Sequence, residues 1–155
     1  MIEIERKFLV KDLSFKKGAT RVTRLSQGFL STDPSRTVRV RTSEQNAWIT
    51  VKGMGSEDGT SRFEWEKDIP LEEAKALLKL CKPVIIEKTR YEIPAGNHIF
   101  EVDVFHGENE GLLLAEIELN HASEAYELPN WLGKEVTGDN AYYNASLSKH
   151  PFSKW

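Results

Sequence analysis

Cysteine is almost absent from this chain of 155 residues: Cys81 stands alone. No intrachain disulfide can therefore staple the fold, and a reducing, cytoplasmic setting is expected. No opening segment combines basic, apolar and small residues in the manner of a secretory signal. No apolar run reaches the length of a membrane span, so no membrane partner is expected. A dominant charge sign is also lacking, since 21 Lys and Arg against 24 Asp and Glu leave a net charge of -3. That balance argues against broad nucleic-acid binding, although a local basic site can hide within it. The four histidines, His98, His106, His121 and His150, show no metal-ligand spacing, which speaks against a histidine-built zinc centre. Repeats and low-complexity tracts are missing too. With 39% hydrophobic residues against 29% charged, the chain is apolar enough to fold, and its length predicts one domain over residues 1–155.

What is present is charge with a period of two. Glu3, Glu5 and Lys7 occupy alternate positions, and in a strand alternate side chains share a face. The period recurs in Arg39 and Arg41, in Arg62, Glu64 and Glu66, in Lys88 and Arg90, in Glu101 and Asp103, and in Glu116 and Glu118. Any single pair is explained well enough by a solvated sheet face with cross-strand ion pairs. The intervening residues Ile4, Val40, Trp65, Val102 and Ile117 are apolar, so the apolar face is expected to pack outward against helices, leaving the charged face inside a closed or strongly curved sheet. Unpaired ions in a dry interior cost several kcal/mol each, so such an interior must be wet, heavily paired or filled by ligand. Carboxylates clustered without Cys or His suit hard, oxygen-preferring ions, Mg²⁺ or Mn²⁺. Arginine and lysine at several heights suit phosphate oxygens. Together they point to metal-assisted phosphoryl chemistry, in which catalysis is chiefly positioning and charge neutralisation.

Alternation and β-branched content predict strands over Ile2–Val10, Val22–Leu30, Thr37–Thr42, Ala47–Gly53, Arg62–Ile69, Val84–Ile93, His98–Phe105 and Leu113–Leu119. Short turn-rich connections make neighbours antiparallel. The Gly- and Ser-rich stretch Gly53–Ser61 is expected to be a mobile loop. A helix is predicted over Leu71–Cys81, opened by Pro70 and stopped before Pro83, a short one near Ser123–Glu127, and a last one over Asn140–Lys149 with Asp139 as N-cap.

The opening EIERK, Glu3 to Lys7, resembles the ExExK signature of the CYTH superfamily, the triphosphate tunnel metalloenzymes. The likeness continues through RVR at Arg39 to Arg41, TVK ending at Lys52, RFEWE at Arg62 to Glu66, KTR at Lys88 to Arg90, EVDVF at Glu101 to Phe105 and AEIEL at Ala115 to Leu119. It extends to the tail GKEVTGDNAYYNASL from Gly133 to Leu147, and in compactness it is similar to the short bacterial tripolyphosphatase branch. The resemblance implies an α+β, mainly β fold: an eight-stranded antiparallel β-barrel forming a tunnel, with a few helices packed outside and a C-terminal helix. It implies phosphate contacts from Lys7, Arg39, Arg41, Lys52, Arg62, Lys88 and Arg90, and a Mg²⁺ or Mn²⁺ site from Glu3, Glu5, Glu116 and Glu118 with help from Glu64 and Asp103. Glu3, Glu5, Lys7 and Lys52 are the implied catalytic set.

The implied reaction is hydrolysis of the terminal phosphate of tripolyphosphate or of a nucleoside or thiamine triphosphate. A class IV adenylate cyclase and a noncatalytic polyphosphate-binding domain remain the competing readings, and a homodimer is one allowed assembly of the protein. The tail departs from the family at Ala141, where many relatives carry arginine.

Overall fold

In the computed structural model, which describes residues 1–155, nine strands form one antiparallel sheet. They are β1 (Ile2–Val10), β2 (Arg21–Ser31), β3 (Thr37–Thr42), β4 (Ala47–Gly55), β5 (Ser61–Asp68), β6 (Ile86–Ala95), β7 (His98–Phe105), β8 (Leu113–Glu118) and β9 (Leu132–Glu135). The order β5-β4-β3-β2-β6-β7-β8-β1-β9, with β5 also paired to β1, closes the first eight into a barrel. Closure is achieved by dividing one edge of β1. Ile2 to Ile4 pair with β5, while Phe8 and Val10 pair with β9, and the other edge of β1 pairs with β8 throughout Glu5 to Leu9. No helix is long and apolar enough to cross a membrane.

The eight predicted strands are all present, with ends shifted by at most two residues. The four-residue β9 escapes sequence reading because it is short and contains only one β-branched or large apolar residue, Leu132. Helix α1 (Leu71–Leu78) stops before Cys81 because the chain tightens there into i→i−3 bonds, from Leu80 N to Leu77 O and from Cys81 N to Leu78 O. Ser123–Glu127 forms no helix. The last predicted helix is broken at Tyr143, whose extended backbone separates a 3₁₀ turn, Asn140–Tyr142, from α2 (Asn144–Lys149). Asp139 does cap that turn, accepting from Ala141 N at 3.1 Å.

The outward faces are covered by two separate apolar groups. Phe8, Phe15, Phe100, Val102, Ile117, Trp131 and Leu132 pack outside β1, β6, β7 and β8, with edge-to-face contacts from Phe15 and Phe100 to Trp131. Phe15 arrives there on a 3₁₀ helix, Leu13–Gly18, capped by Asp12. Val40, Ala47 and Ala74 join α1 to β3 and β4. A third apolar group lies on the inward face: Phe29, Ile86, Phe105 and Leu114 meet Leu147 of α2. The expected sorting, apolar out and charged in, thus fails at one end of the barrel. There the tail plugs the lumen with burial of large apolar side chains, each contributing about 1.5–3 kcal/mol.

Candidate active site

Cross-strand register places the charged residues opposite one another. Directly paired are Lys7 with Glu116, Glu5 with Glu118, Glu101 with Glu116, Arg90 with Asp103, Lys52 with Glu64 and Glu3 with Arg62. Opposed residues in an antiparallel ladder share a face. Their side chains line a tunnel cavity of about 610 Å³ that contains Glu3, Glu5, Lys7, Arg39, Arg41, Lys52, Arg62, Glu64, Glu66, Lys88, Arg90, Glu101, Glu116 and Glu118. Only 4 of its 33 lining residues are hydrophobic, which inverts the usual apolar lining of small-molecule pockets and suits a ligand that is charged along its length. Glu101 and Glu118 also line a second cavity of about 600 Å³ with Glu92, Asn97, His98, Asn120 and Glu124, an acidic mouth at the far end.

On the β6–β7 side the cations are braced. Arg90 binds Asp103 in a fork, Nε to Oδ1 at 2.8 Å and Nη2 to Oδ2 at 2.9 Å, and Lys88 Nζ reaches Asp103 Oδ2 at 2.8 Å. Arg90 also donates to Glu101 at 3.2 Å. Lys88 and Asp103 are each about 1% exposed. Burial pulls the Lys88 ammonium down to about 8, with Arg90 and Arg41 pushing the same way and Asp103 opposing. Asp103 stays low against its burial because Arg90 and Lys88 flank it. Its oxygens pair with these cations and it does not line the cavity, so it braces them.

Across the lumen, Arg39 donates to Thr50 Oγ1 at 3.2 Å and lies 3.4 Å from Glu66, while Thr50 donates to Glu66 at 2.6 Å. Arg41 approaches the same Glu66 oxygen at 3.7 Å and lies over the Trp48 ring. The Nε atoms of Arg39 and Arg41 are buried without a partner. A buried unpaired donor is costly, and an anion in the lumen would satisfy it.

The β1, β5 and β8 side is rich in carboxylates. Lys52 Nζ lies 2.8 Å from Glu3 and 3.2 Å from Glu64. Glu3 and Glu64 act on each other through their charges, as do Glu5 and Glu116. Burial, then Glu116 and Glu3, push Glu5 well above the usual carboxylate range. Burial also acts to raise Glu116, but Lys7, Arg90 and Lys88 together hold it well below. Glu5 and Glu116 are thus a coupled pair of carboxylates whose surroundings push them in opposite directions.

Clustered carboxylates in excess of their cation partners form an all-oxygen donor set, so the chemistry of the residues fits a hard divalent ion. No three His, Cys, Asp or Glu side chains are drawn onto one point; Lys52 occupies oxygens of Glu3 and Glu64. His98 pairs with Glu124 and His106 with Thr89, away from this group.

Sequence reasoning missed Thr50, which joins Arg39 to Glu66; Tyr143 and Asn144, part of the tail motif, line the cavity, a place the sequence did not assign them. Thr50 shares the inward period with Lys52, so its signal was available; the tail's inward turn depends on the break at Tyr143. Gly53–Ser61, expected to be mobile, is a built turn: Asp58 accepts from Ser56 Oγ, Thr60 N and Thr60 Oγ1. A Cβ on Gly59, at φ +76, would stand 2.3 Å from Gly138 Cα, so this turn docks on the tail through paired glycines.

Two relatives share the whole architecture in sequence. The inorganic triphosphatase of Acetivibrio thermocellus is 42% identical over 154 residues, covering 99% of this chain and 97% of that protein. The inorganic triphosphatase of Nitrosomonas europaea is 38% identical over 154 residues, covering 96% and 97%. A crystal structure of an inorganic triphosphatase aligns with a TM-score of 0.66 at 35% identity, covering 94% of this chain and 97% of that one. The CYTH domain family model matches residues 1–151, and the chain belongs to the CYTH domain family.

Proposed function

We propose that this protein is a metal-dependent triphosphatase that removes the terminal phosphate of inorganic tripolyphosphate. The observation that carries the reading is one tunnel holding braced cations on one side and a cluster of carboxylates on the other, with almost no apolar lining for a nucleobase. The relatives at 42% and 38% identity are inorganic triphosphatases, which supports the same substrate class.

Lys7, Arg39, Arg41, Lys52, Lys88 and Arg90 bind and orient the phosphate chain, while Arg62 steadies the mouth through Thr37 Oγ1 at 2.8 Å and Gly53 O at 2.6 Å. Glu3, Glu5, Glu116 and Glu118, with Glu64 beside them, would hold the divalent ion, Mg²⁺ or Mn²⁺. When bound, that ion supplies charge neutralisation on the phosphate oxygens. Lys52, held between Glu3 and Glu64, presents its ammonium to charge growing on the phosphoryl oxygens. The ionised Glu116 orients the attacking water, and no side-chain nucleophile is required.

The test is purified protein with Mg²⁺ or Mn²⁺ against tripolyphosphate, ATP and thiamine triphosphate, with orthophosphate, pyrophosphate and cyclic AMP resolved. Orthophosphate from tripolyphosphate, formed faster than from ATP, supports the reading. Cyclic AMP and pyrophosphate from ATP would make the protein a cyclase, and tight binding without turnover a polyphosphate-binding domain.

A further inference from the structure

Lys7 and Lys88 are both buried in the tunnel, 5% and 1% exposed, and the C-terminal segment touches each. Lys7 forms no ion pair: its ammonium donates to Tyr142 O at 3.3 Å and lies 5.0 Å above the Tyr143 ring. Lys88 donates to Asn144 Oδ1 at 3.0 Å, and that same oxygen accepts from Gln27 Nε2 at 2.6 Å. The segment making these contacts is itself fixed. Val136 N donates to Lys7 O at 2.8 Å, Lys7 N donates to Thr137 Oγ1 at 2.9 Å, Gly138 abuts Gly59, and Leu147 is buried in the plug.

We propose that Tyr143 and Asn144 are positioning residues for triphosphate binding, Tyr143 holding Lys7 through its ring face and Asn144 holding Lys88 through its amide oxygen. The inference rests on the triphosphatase reading and deepens it. The choice of holder matters physically. At Lys7 a carboxylate would neutralise the ammonium and compete with phosphate, whereas a ring face and a carbonyl restrict it and leave its charge available; at Lys88, already paired with Asp103, the amide oxygen adds a second, neutral anchor. Ala141 adds no cation to the segment, so its effect on the tunnel runs through these neutral groups. Immobilising a flexible side chain before binding is worth roughly two- to twelvefold in affinity, and a desolvated cation–π contact adds to it.

The experiment compares steady-state kinetics on tripolyphosphate with divalent metal for wild type, Tyr143→Leu, Tyr143→Phe and Asn144→Leu, alongside thermal melts. Tyr143→Leu and Asn144→Leu should each raise KM about tenfold with a much smaller change in kcat. Tyr143→Phe, which keeps the ring, should recover most of the affinity lost in Tyr143→Leu. An unchanged KM in Tyr143→Leu and Asn144→Leu, or a Tyr143→Phe as impaired as Tyr143→Leu, would overturn the proposal. So would kcat falling in step with the melting temperature while KM stays put.

If wild type turns over no triphosphate, the functional reading fails on its own, and the holding of Lys7 is read by NMR. Its ε-methylene protons should be ring-shifted upfield in wild type and in Tyr143→Phe, and should return to the position of exposed lysines in Tyr143→Leu. Absence of that shift in wild type would refute the contact directly.

Discussion

The two sides of the tunnel solve the problem of buried charge in opposite ways. On the β6–β7 side, Lys88 and Arg90 converge on Asp103, and Arg90 also reaches Glu101, so each cation is fixed by a carboxylate. On the side made by β1, β5 and β8, Glu3, Glu5, Glu64 and Glu116 outnumber Lys52, which pairs with Glu3 and Glu64 alone. The first side is complete without a ligand and ready for an anion. The second is incomplete in charge and ready for a cation. A polyphosphate with its divalent counterion complements both at once, which is why one lumen can hold ions of both signs at a cost the fold can bear.

The sharpest way to break this contrast is to remove the brace. Asp103→Ala leaves Lys88 and Arg90 buried without their partner, and loss of one member of a buried ion pair costs about 3–5 kcal/mol. A urea melt should record that loss; a melt matching wild type would mean that the two cations are not held by Asp103.

On the opposite side the expected loss is catalytic. Glu5→Ala or Lys52→Ala should lower kcat on tripolyphosphate by about 10²–10³-fold, the scale of removing a group that stabilises developing charge, with the fold intact by circular dichroism. Normal hydrolysis by both variants would remove these residues from the site.

The glycine tie between the β4–β5 turn and the tail lies at the rim of the cavity and fixes the segment that carries Tyr143 and Asn144, so loosening it should lower stability and raise KM together. Gly59→Ala places a Cβ against Gly138 at a positive φ and should cost about 1–3 kcal/mol, measured by thermal melt. A melt equal to wild type would show that the turn and tail move apart freely.

The smallest effect is one of pH. Lys88, pulled down to about 8 by burial, loses its charge in the free protein as pH rises through that value. Affinity for a polyanion should then fall, so KM on tripolyphosphate rises a few-fold between about pH 7.5 and 9, while kcat changes less because bound phosphate restores the proton. For stability the sign is reversed. Between about 8 and the ordinary lysine value the unfolded chain binds more protons at this position, so the contribution of Lys88 to stability improves as pH rises. A KM that is flat across this range would place the titration elsewhere.

Much of this was legible from sequence because period-two charge is a local property. Glu3, Glu5 and Lys7 share a face whatever their neighbours do, and so do Arg39 with Arg41 and Lys88 with Arg90. The charged strand residues that line the tunnel follow almost residue for residue. The division into two sides was not legible, because it arises from pairing across strands. Nothing within KTR or EVDVF says that Arg90 sits opposite Asp103, or that Asp103 turns its oxygens to Lys88 as well.

The apolar plug was hidden for a related reason. Phe29, Ile86, Phe105 and Leu114 continue the inward period of their strands beyond the charged positions, and only the arrival of Leu147 from the tail makes that end of the lumen dry. The tail itself reads as one continuous helix over Asn140–Lys149. Its break at Tyr143, which turns a ring toward Lys7, is a tertiary outcome that helix propensity does not encode.

The most direct test of the two-sided site is tripolyphosphate hydrolysis by wild type and Glu5→Gln, followed as orthophosphate and pyrophosphate while Mg²⁺ or Mn²⁺ is titrated from zero. The account predicts no turnover without metal, one orthophosphate per pyrophosphate with it, and a variant that keeps its fold but needs far more metal to reach a much lower rate. Hydrolysis by metal-free wild type, or a Glu5→Gln whose metal dependence matches wild type, would contradict it.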